Sequence, residues 1–378
     1  MKLTLSTLQS LKLAQLKHLA VQCGINSGGT KGLLASRLRD ELPQASLNSR
    51  LPVGSSDGIG ETKGATDRIL SVDMGIRNLA YCVLDLPASS GPRATPSILA
   101  WKRMAVSPTS TRPITAPPST GDDSLKVKES FDPMTYASHA YQLLTQILLP
   151  HDASHVLIER QRYRSMGASA IQEWTVRVNM FEGMLYAVLR TLAQEGKWRG
   201  TVHSVLPAKV GPFWLDPLDG DDAREESLRR KTRRAKSAKA RNKGAKIDLV
   251  GQWLEKGDVI LVESTEARQT AAAYLDRWRG RAGRTKLKVT STVTSKAKPK
   301  STTHDPQAGP ERSHDDEGEE GERVGQGEVD HGIGKLDDLA DSLLQGVAWI
   351  RWQENRQRVM QGGIEALELN LDAESSPS

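Results

Sequence analysis

Cysteine is nearly absent: Cys23 and Cys82 are the only two in 378 residues, and both sit in apolar settings. Two thiols make no disulfide framework and match no zinc-binding spacing, so the chain reads as a protein of a reducing or organellar interior, not a secreted one. Long apolar runs are also missing. None is long enough to span a bilayer, and no secretory signal is present. Acidic residues are scarce at the start, where the first is Asp40, after Lys2, Lys12, Lys17, Lys31, Arg37 and Arg39. That is a weak transit-peptide-like bias, weakened further by the lack of arginine before Arg37. The hydrophobic share is only 37%. One large domain with accessories is expected, part of the chain staying outside any packed core. The formal charge is +6, yet the basic residues cluster, which makes nucleic acid the first partner to consider.

What is present begins with a separate-looking helical module. In LKLAQLKHLAVQCGINSGGTKGLLASRLRDEL, Leu13, Leu16 and Ala20 share one helical face, Gly24 can end that helix, and Thr30 can cap a second one carrying Leu34 and Leu38. Lys31, Arg37 and the amides at the start of the second helix suit phosphate contact. The pattern resembles the SAP motif, a DNA-binding helical hairpin, through Gly24-Ile25, Gly29-Thr30-Lys31, Leu34 and Arg37-Leu38; the alternative is an amphipathic hairpin that packs on the main domain or targets an organelle. Residues 1–45 are assigned to this module and 46–66, rich in Gly, Ser and Asp, to a linker.

The main domain is expected over 67–355. ILSVDMGIRNLAYCVLD, Ile69 to Asp85, predicts a strand, a turn at Gly75 to Asn78 and a second strand, with Asp73 at the working end. A carboxylate there must be hydrogen-bonded by the turn or hold a cation. Ser97 to Val106 is a third strand, Asp132 to Leu149 a helix with Pro133 in its first turn, SHVLIER a buried strand ending in Glu159, and Thr201 to Leu206 a fifth strand. Between the last two, Ile171 to Leu192 predicts a long helix apolar on two sides, a candidate subunit interface. Insertions near 87–118, 216–246 and 284–331 are expected to be disordered, and 356–378 to be a tail. In KLDDLADSLLQGVAWIRW, Leu336, Leu339, Ala340, Leu343, Leu344, Val347 and Ile350 form one stripe. At about 100° per residue Asp337 and Asp341 fall on its edge and Asp338 points roughly opposite. Paired carboxylates four residues apart repel each other, and a divalent cation would offset that.

If the first and fourth strands are parallel neighbours, Asp73 and Glu159 sit together and the late helix can bring Asp337 and Asp341 to the same edge. Four hard oxygen donors select magnesium, or manganese, and two such ions about 4 Å apart could drive phosphodiester hydrolysis. Here the sequence resembles the fungal mitochondrial cruciform-cutting endonucleases, Holliday junction resolvases of the ribonuclease H-like superfamily. The resemblance rests on ILSVDMGIRNLAYCVLD, VLIERQRYRS, the SVLPAKVGPFW block and KLDDLADSLL, between Ile69 and Trp352. It implies an α/β fold with a mixed five-stranded sheet flanked by helices, and a mitochondrial enzyme that resolves four-way junctions by paired nicks. Asp73, Glu159, Asp337 and Asp341 become the catalytic metal ligands, with Asp338 as the substitute suggested by the closer spacing in bacterial relatives.

Gln161, Arg162 and Arg164 directly follow Glu159 and are assigned to DNA, as are Lys31, Arg37, Lys209 and Lys246; Arg77 is open between phosphate contact and pairing with the local carboxylates. A junction has two-fold symmetry and needs two cuts, so a homodimer is expected. Two other readings compete. An actin or sugar-kinase type ATP phosphotransferase needs a second glycine-rich phosphate hairpin, which the sequence lacks. A non-catalytic DNA-binding scaffold leaves the four carboxylates without a role.

Overall fold

The computed structural model describes residues 4–47, 67–87, 95–106, 132–161, 173–215, 235–293 and 335–367. Its centre is the strand, turn and strand around Asp73. β1 (Asp67–Asp73) and β2 (Leu79–Leu86) pair antiparallel, with Asp73 opposite Ala80. Gly75 makes the turn possible, since a Cβ there would lie 3.0 Å from the Asn78 carbonyl oxygen. β3 (Ser97–Met104) runs antiparallel to β2, whereas β4 (His155–Glu159) runs parallel to β1 and β5 (Thr201–Val205) parallel to β4. The order β5-β4-β1-β2-β3 is the expected mixed five-stranded sheet, and a two-residue β6 (Leu261–Val262) extends it past β3.

Both faces of the sheet are covered, which is why β1 and β4 are apolar almost throughout. On one face lie α4 (Pro133–Gln142), capped by the Asp132 side chain, and α5 (Glu173–Gln194). There Leu70, Val72, Val156 and Ile158 pack with Tyr136, Phe181, Leu185 and Leu189. Burying each such side chain contributes about 1.5–3 kcal/mol. On the other face lies α9 (Leu336–Gly362), backed by α6 (Pro207–Leu215), α7 (Ala235–Lys256) and α8 (Thr265–Val293). Ile69, Leu84, Trp101 and Leu157 from the sheet share that core with Leu343, Val347, Trp253 and Tyr274. Cys23 and Cys82 are both buried free thiols, and no helix among the described residues is long and apolar enough to cross a membrane.

Three expectations are revised. Residues 235–246 and 284–293, assigned above to disordered insertions, belong to helices α7 and α8. The signal was available: Ile247, Val250 and Trp253 on α7 and Ala267, Ala271 and Tyr274 on α8 recur at helical spacing and are buried. The rest of those insertions lies outside the described residues, apart from Pro87 and the β3 region. Second, the N-terminal module is not insulated from the body. Its helices α1 (Leu5–Ser10), α2 (Leu13–Gln22) and α3 (Lys31–Glu41) close a core that includes Val359 and Ile364 from the far end of the chain. Third, the domain boundary expected at residue 355 therefore falls inside α9, and residues 356–367 help to build this shared core. A helix of 27 residues is about 40 Å long, more than one short-stranded sheet can cover, and the module buries the remainder.

Candidate active site

Parallel pairing of β1 with β4 sets the two strand-end carboxylates side by side. Val72 stands opposite Ile158, so Asp73 and Glu159 finish their strands together. Burial, then the hydrogen bond and charge of Glu159, then the charges of Asp341 and Asp338 push Asp73 well above the usual carboxylate range. Burial and the adjoining Glu159 carboxyl thus favour the protonated form of Asp73.

The N-terminal turns of α9 supply the other acids, in a phase different from the one its apolar stripe predicts. Gln345 donates to Ser71 Oγ and to the Val72 carbonyl, both at 3.1 Å. Gly346 lies so close that a Cβ would meet Leu84 at 2.8 Å and Ser71 at 3.1 Å, and Trp349 packs on the rings of His155 and His203. Gln345, Gly346 and Trp349 thus face the sheet directly, while the leucine stripe joins the core that the sheet shares with the outer helices. At about 100° per residue, Asp338 shares the direction of Gln345 and Trp349, with Asp341 at its margin. Asp338 does not point away from the buried side: it accepts from Arg103 Nε at 2.8 Å, and Arg103 also donates to Asn78 in the β1–β2 turn. Burial raises Asp338 and the Arg103 bond opposes it. Asp341 is likewise raised by burial, against the opposing charge of Lys246.

Lysines from α7 flank this cluster. Lys246 Nζ lies 2.8 Å from Asp341 and Lys243 Nζ 2.5 Å from Asp337. Asp73 therefore feels Glu159, Asp338 and Asp341, whereas Asp337 is turned toward α7. Lys246, assigned to DNA from the sequence, lies in the second half of α7. Arg103 and Lys243 belong to the site although nothing in their local sequence marks them; only the tertiary fold brings them there.

The other residues singled out above are distributed more widely. The Gln161 backbone amide donates to Glu182 at 3.0 Å. Lys209 Nζ donates to the Gly24 carbonyl at 2.9 Å, tying α6 to the N-terminal module, and burial lowers its pKa. Arg37 binds the carbonyls of Asn26 and Gly28, at 2.5 and 2.8 Å, bracing the turn before α3. Lys31 is exposed in the first turn of α3. The Arg77 guanidinium lies 5.2 Å from the Trp174 ring centroid. Arg162 and Arg164 lie outside the described residues.

The donors of the cluster are all carboxylate oxygens, the chemistry that hard divalent cations take. Burial, and after it the charges of the neighbouring acids, raise Asp73, and a bound cation would offset that crowding of negative charge. As they stand, no three of the described acidic, histidine or cysteine side chains are gathered into a ready ligand set. Lys243 and Lys246 neutralise Asp337 and Asp341 instead.

Residues 69–359 match the family model described as mitochondrial resolvase Ydc2 / RNA splicing MRS1. The chain belongs to that family. Among curated relatives, the mitochondrial cruciform cutting endonuclease 1 of Schizosaccharomyces pombe is 30% identical over 181 residues, which cover 47% of this chain and 55% of that protein. The Saccharomyces cerevisiae protein of the same name is 22% identical over 364 residues, 94% of this chain and 85% of that one. The alignment thus spans about half the length of the first relative and most of the second. Of solved structures, the yeast mitochondrial Holliday junction resolvase Ydc2 superposes with a TM-score of 0.48 at 23% identity, covering 94% of this chain and 98% of that one. Thermus thermophilus RuvC in complex with a Holliday junction substrate gives 0.24 at 14% identity, over 40% and 71%.

Proposed function

We propose that this chain is a structure-selective DNA endonuclease that resolves four-way junctions in mitochondria by paired phosphodiester hydrolysis, acting as a homodimer. The observation that carries the reading is the convergence of Asp73, Glu159, Asp338 and Asp341 at one end of the sheet. The family's description joins resolvases to an RNA-splicing protein, so membership alone leaves two chemistries. The acidic cluster favours hydrolysis, because a protein that only binds nucleic acid gains nothing from carboxylates that repel phosphates.

Asp73, Glu159, Asp338 and Asp341 would hold magnesium or manganese, with Asp337 as an outer member. When bound, such a cation supplies an activated water and neutralises charge developing on the phosphate and on the leaving 3′ oxygen. The chain's own groups do the rest. Asp73 and Glu159 end adjacent strands and so present their carboxyl groups side by side. Arg103 keeps Asp338 at the turn, and Lys246 offers an ammonium ion to a phosphate oxygen beside Asp341. Gln161, just after the end of β4, adjoins the cut strand, Arg162 and Arg164 are assigned to DNA from their place in the sequence, and Lys31 gives the N-terminal module a phosphate contact. The outer side of α5, with Val176 at 49% exposure, Met180, Met184 and Ala187, supports a two-fold interface. Incubating the purified chain with a labelled four-way junction and a matched linear duplex, with and without magnesium, tests the reading. Magnesium-dependent cutting confined to the junction is expected; equal cutting of both, or none, overturns it.

A further inference from the structure

A cavity of about 710 Å³ opens at the ends of β4 and β5, with Arg160, Gln161 and the start of α6 on one side and Asn179, Glu182, Gly183 and Tyr186 of α5 on the other. Its volume falls in the roughly 300–1,000 Å³ range of small-ligand sites. The α5 residues stand at i, i+3, i+4 and i+7, so one helix face forms the wall, while the adjoining face, Val178, Phe181, Leu185 and Leu189, packs on the sheet.

Three features of that wall are not explained by packing. Glu182 is buried to 9% exposure, and its carboxylate has one hydrogen-bond donor among the described residues, the Gln161 amide on Oε2. The Tyr186 hydroxyl is buried beside Ser204, which meets it without good hydrogen-bond geometry, so it is only weakly satisfied. Gly183 sits inside a helix, where glycine costs up to about 1 kcal/mol relative to alanine, yet a Cβ there would meet nothing within 4 Å. Space is kept open where a better helix former would fit.

Gln161 follows Glu159 by two residues, about 6.6 Å of extended chain, comparable to two nucleotide rises of about 3.4 Å along one strand. The cavity is therefore one or two nucleotides from a phosphate addressed by Glu159. The buried carboxylate of Glu182 repels a phosphate but accepts from a base bearing an exocyclic amine. The Arg160 guanidinium offers a plane on which a base can stack. Bases at a branch point have lost part of their stacking, so extruding one costs least there.

We infer that this cavity receives one unstacked nucleobase of the strand being cut, with Glu182 accepting from its exocyclic amine, and so sets the base preference of cleavage. The inference rests on the nuclease reading above.

The test uses the full chain with junctions that carry 2-aminopurine at each of three nucleotides on either side of the cut, bound without magnesium. It adds a panel of junctions that differ only at the responding position, cut with magnesium. The wild-type chain should raise 2-aminopurine fluorescence several-fold at one position and discriminate there against thymine by tenfold or more. Gly183→Leu adds bulk to the cavity wall at a position where a Cβ meets nothing within 4 Å, so junction affinity should stay within about twofold while the fluorescence response and the base preference are lost. Glu182→Gln should shift the preference among the four bases. A Gly183→Leu chain that keeps both signals overturns the inference. So does one that changes sedimentation but not base preference, which assigns this face to subunit contact. Junction cutting by the wild-type chain with no fluorescence response and no preference overturns the pocket alone; no binding or cutting of any junction overturns the nuclease reading with it.

Discussion

Gly24 lies flat against the indole of Trp352: a Cβ on Gly24 would be 2.3 Å from the ring, and its φ of +63° is one that glycine adopts without strain. Around this contact Asn355 donates to Gln22 O at 2.7 Å, Arg356 to Cys23 O at 2.8 Å, and the Ser46 amide donates to Gln353 at 2.9 Å. The N-terminal module is thus bolted to the helix whose other end carries Asp338 and Asp341.

Gly24→Ala should destabilise the protein by about 1–3 kcal/mol, since it adds both backbone strain and overpacking against Trp352. Deleting residues 1–47 should do far more, stripping the cover from Trp352, Val359 and Ile364 and leaving a chain that aggregates or unfolds. Urea titration of the point variant and sedimentation of the truncation check this. A truncated chain that folds and cuts normally would show the module to be a separable accessory.

The acids of α9 should differ in importance. Asp338→Asn and Asp341→Asn should each lower the cleavage rate by several orders of magnitude, whereas Asp337→Asn should cost about tenfold or less, since Asp337 meets Lys243 on α7 instead of Asp73. Single-turnover rates on one junction compare the three directly. If Asp337 proves the essential one, α9 must rotate when the site is loaded.

His203 gives the stability a dependence on pH. Its ring packs on Trp349 and its Nε2 lies 3.3 Å from His155 Nδ1. Burial first, then the neighbouring His155 and Arg356, depress it from its ordinary 6.5 to about 4; Asp67, 3.7 Å beyond His155, closes the group. Between pH 4 and 6.5 the unfolded chain binds this proton and the folded chain does not. Stability should therefore rise with pH across that window and fall as the medium is acidified through it. Denaturation midpoints measured from pH 4 to 7 should show the slope, and His203→Gln should flatten it.

Much of the architecture was legible from local pattern. The turn between Asp73 and Leu79, the strand ending in Glu159 and the long α5 all follow from apolar runs broken by Gly, Asn and Pro, and the parallel pairing that joins Asp73 to Glu159 follows from two strands buried on both faces. The phase of α9 was not legible. A leucine stripe identifies the buried side only when one side is buried, and α9 is covered by the sheet on one side and by α6 and α7 on the other. Its sheet side carries Gln345, Gly346 and Asp338, which look solvent-facing in a helical wheel. The second half of α7 was legible in Ile247, Val250 and Trp253, but the role of its lysines was not, since their acidic partners lie almost a hundred residues later. The union of the N-terminal module with the end of α9 spans more than 300 residues of chain, a distance over which no local pattern carries information.

The central claim is that the cluster around Asp73 cuts a junction on two strands, and a supercoiled plasmid that extrudes one cruciform tests it most directly. With magnesium, the wild-type chain should convert the plasmid to linear molecules with symmetric nicks across the extruded junction. Asp73→Asn, which removes one acid of the cluster with little change of shape, should bind the same plasmid as tightly or more tightly and leave it supercoiled. Linear product formed by Asp73→Asn at near the wild-type rate would contradict the account.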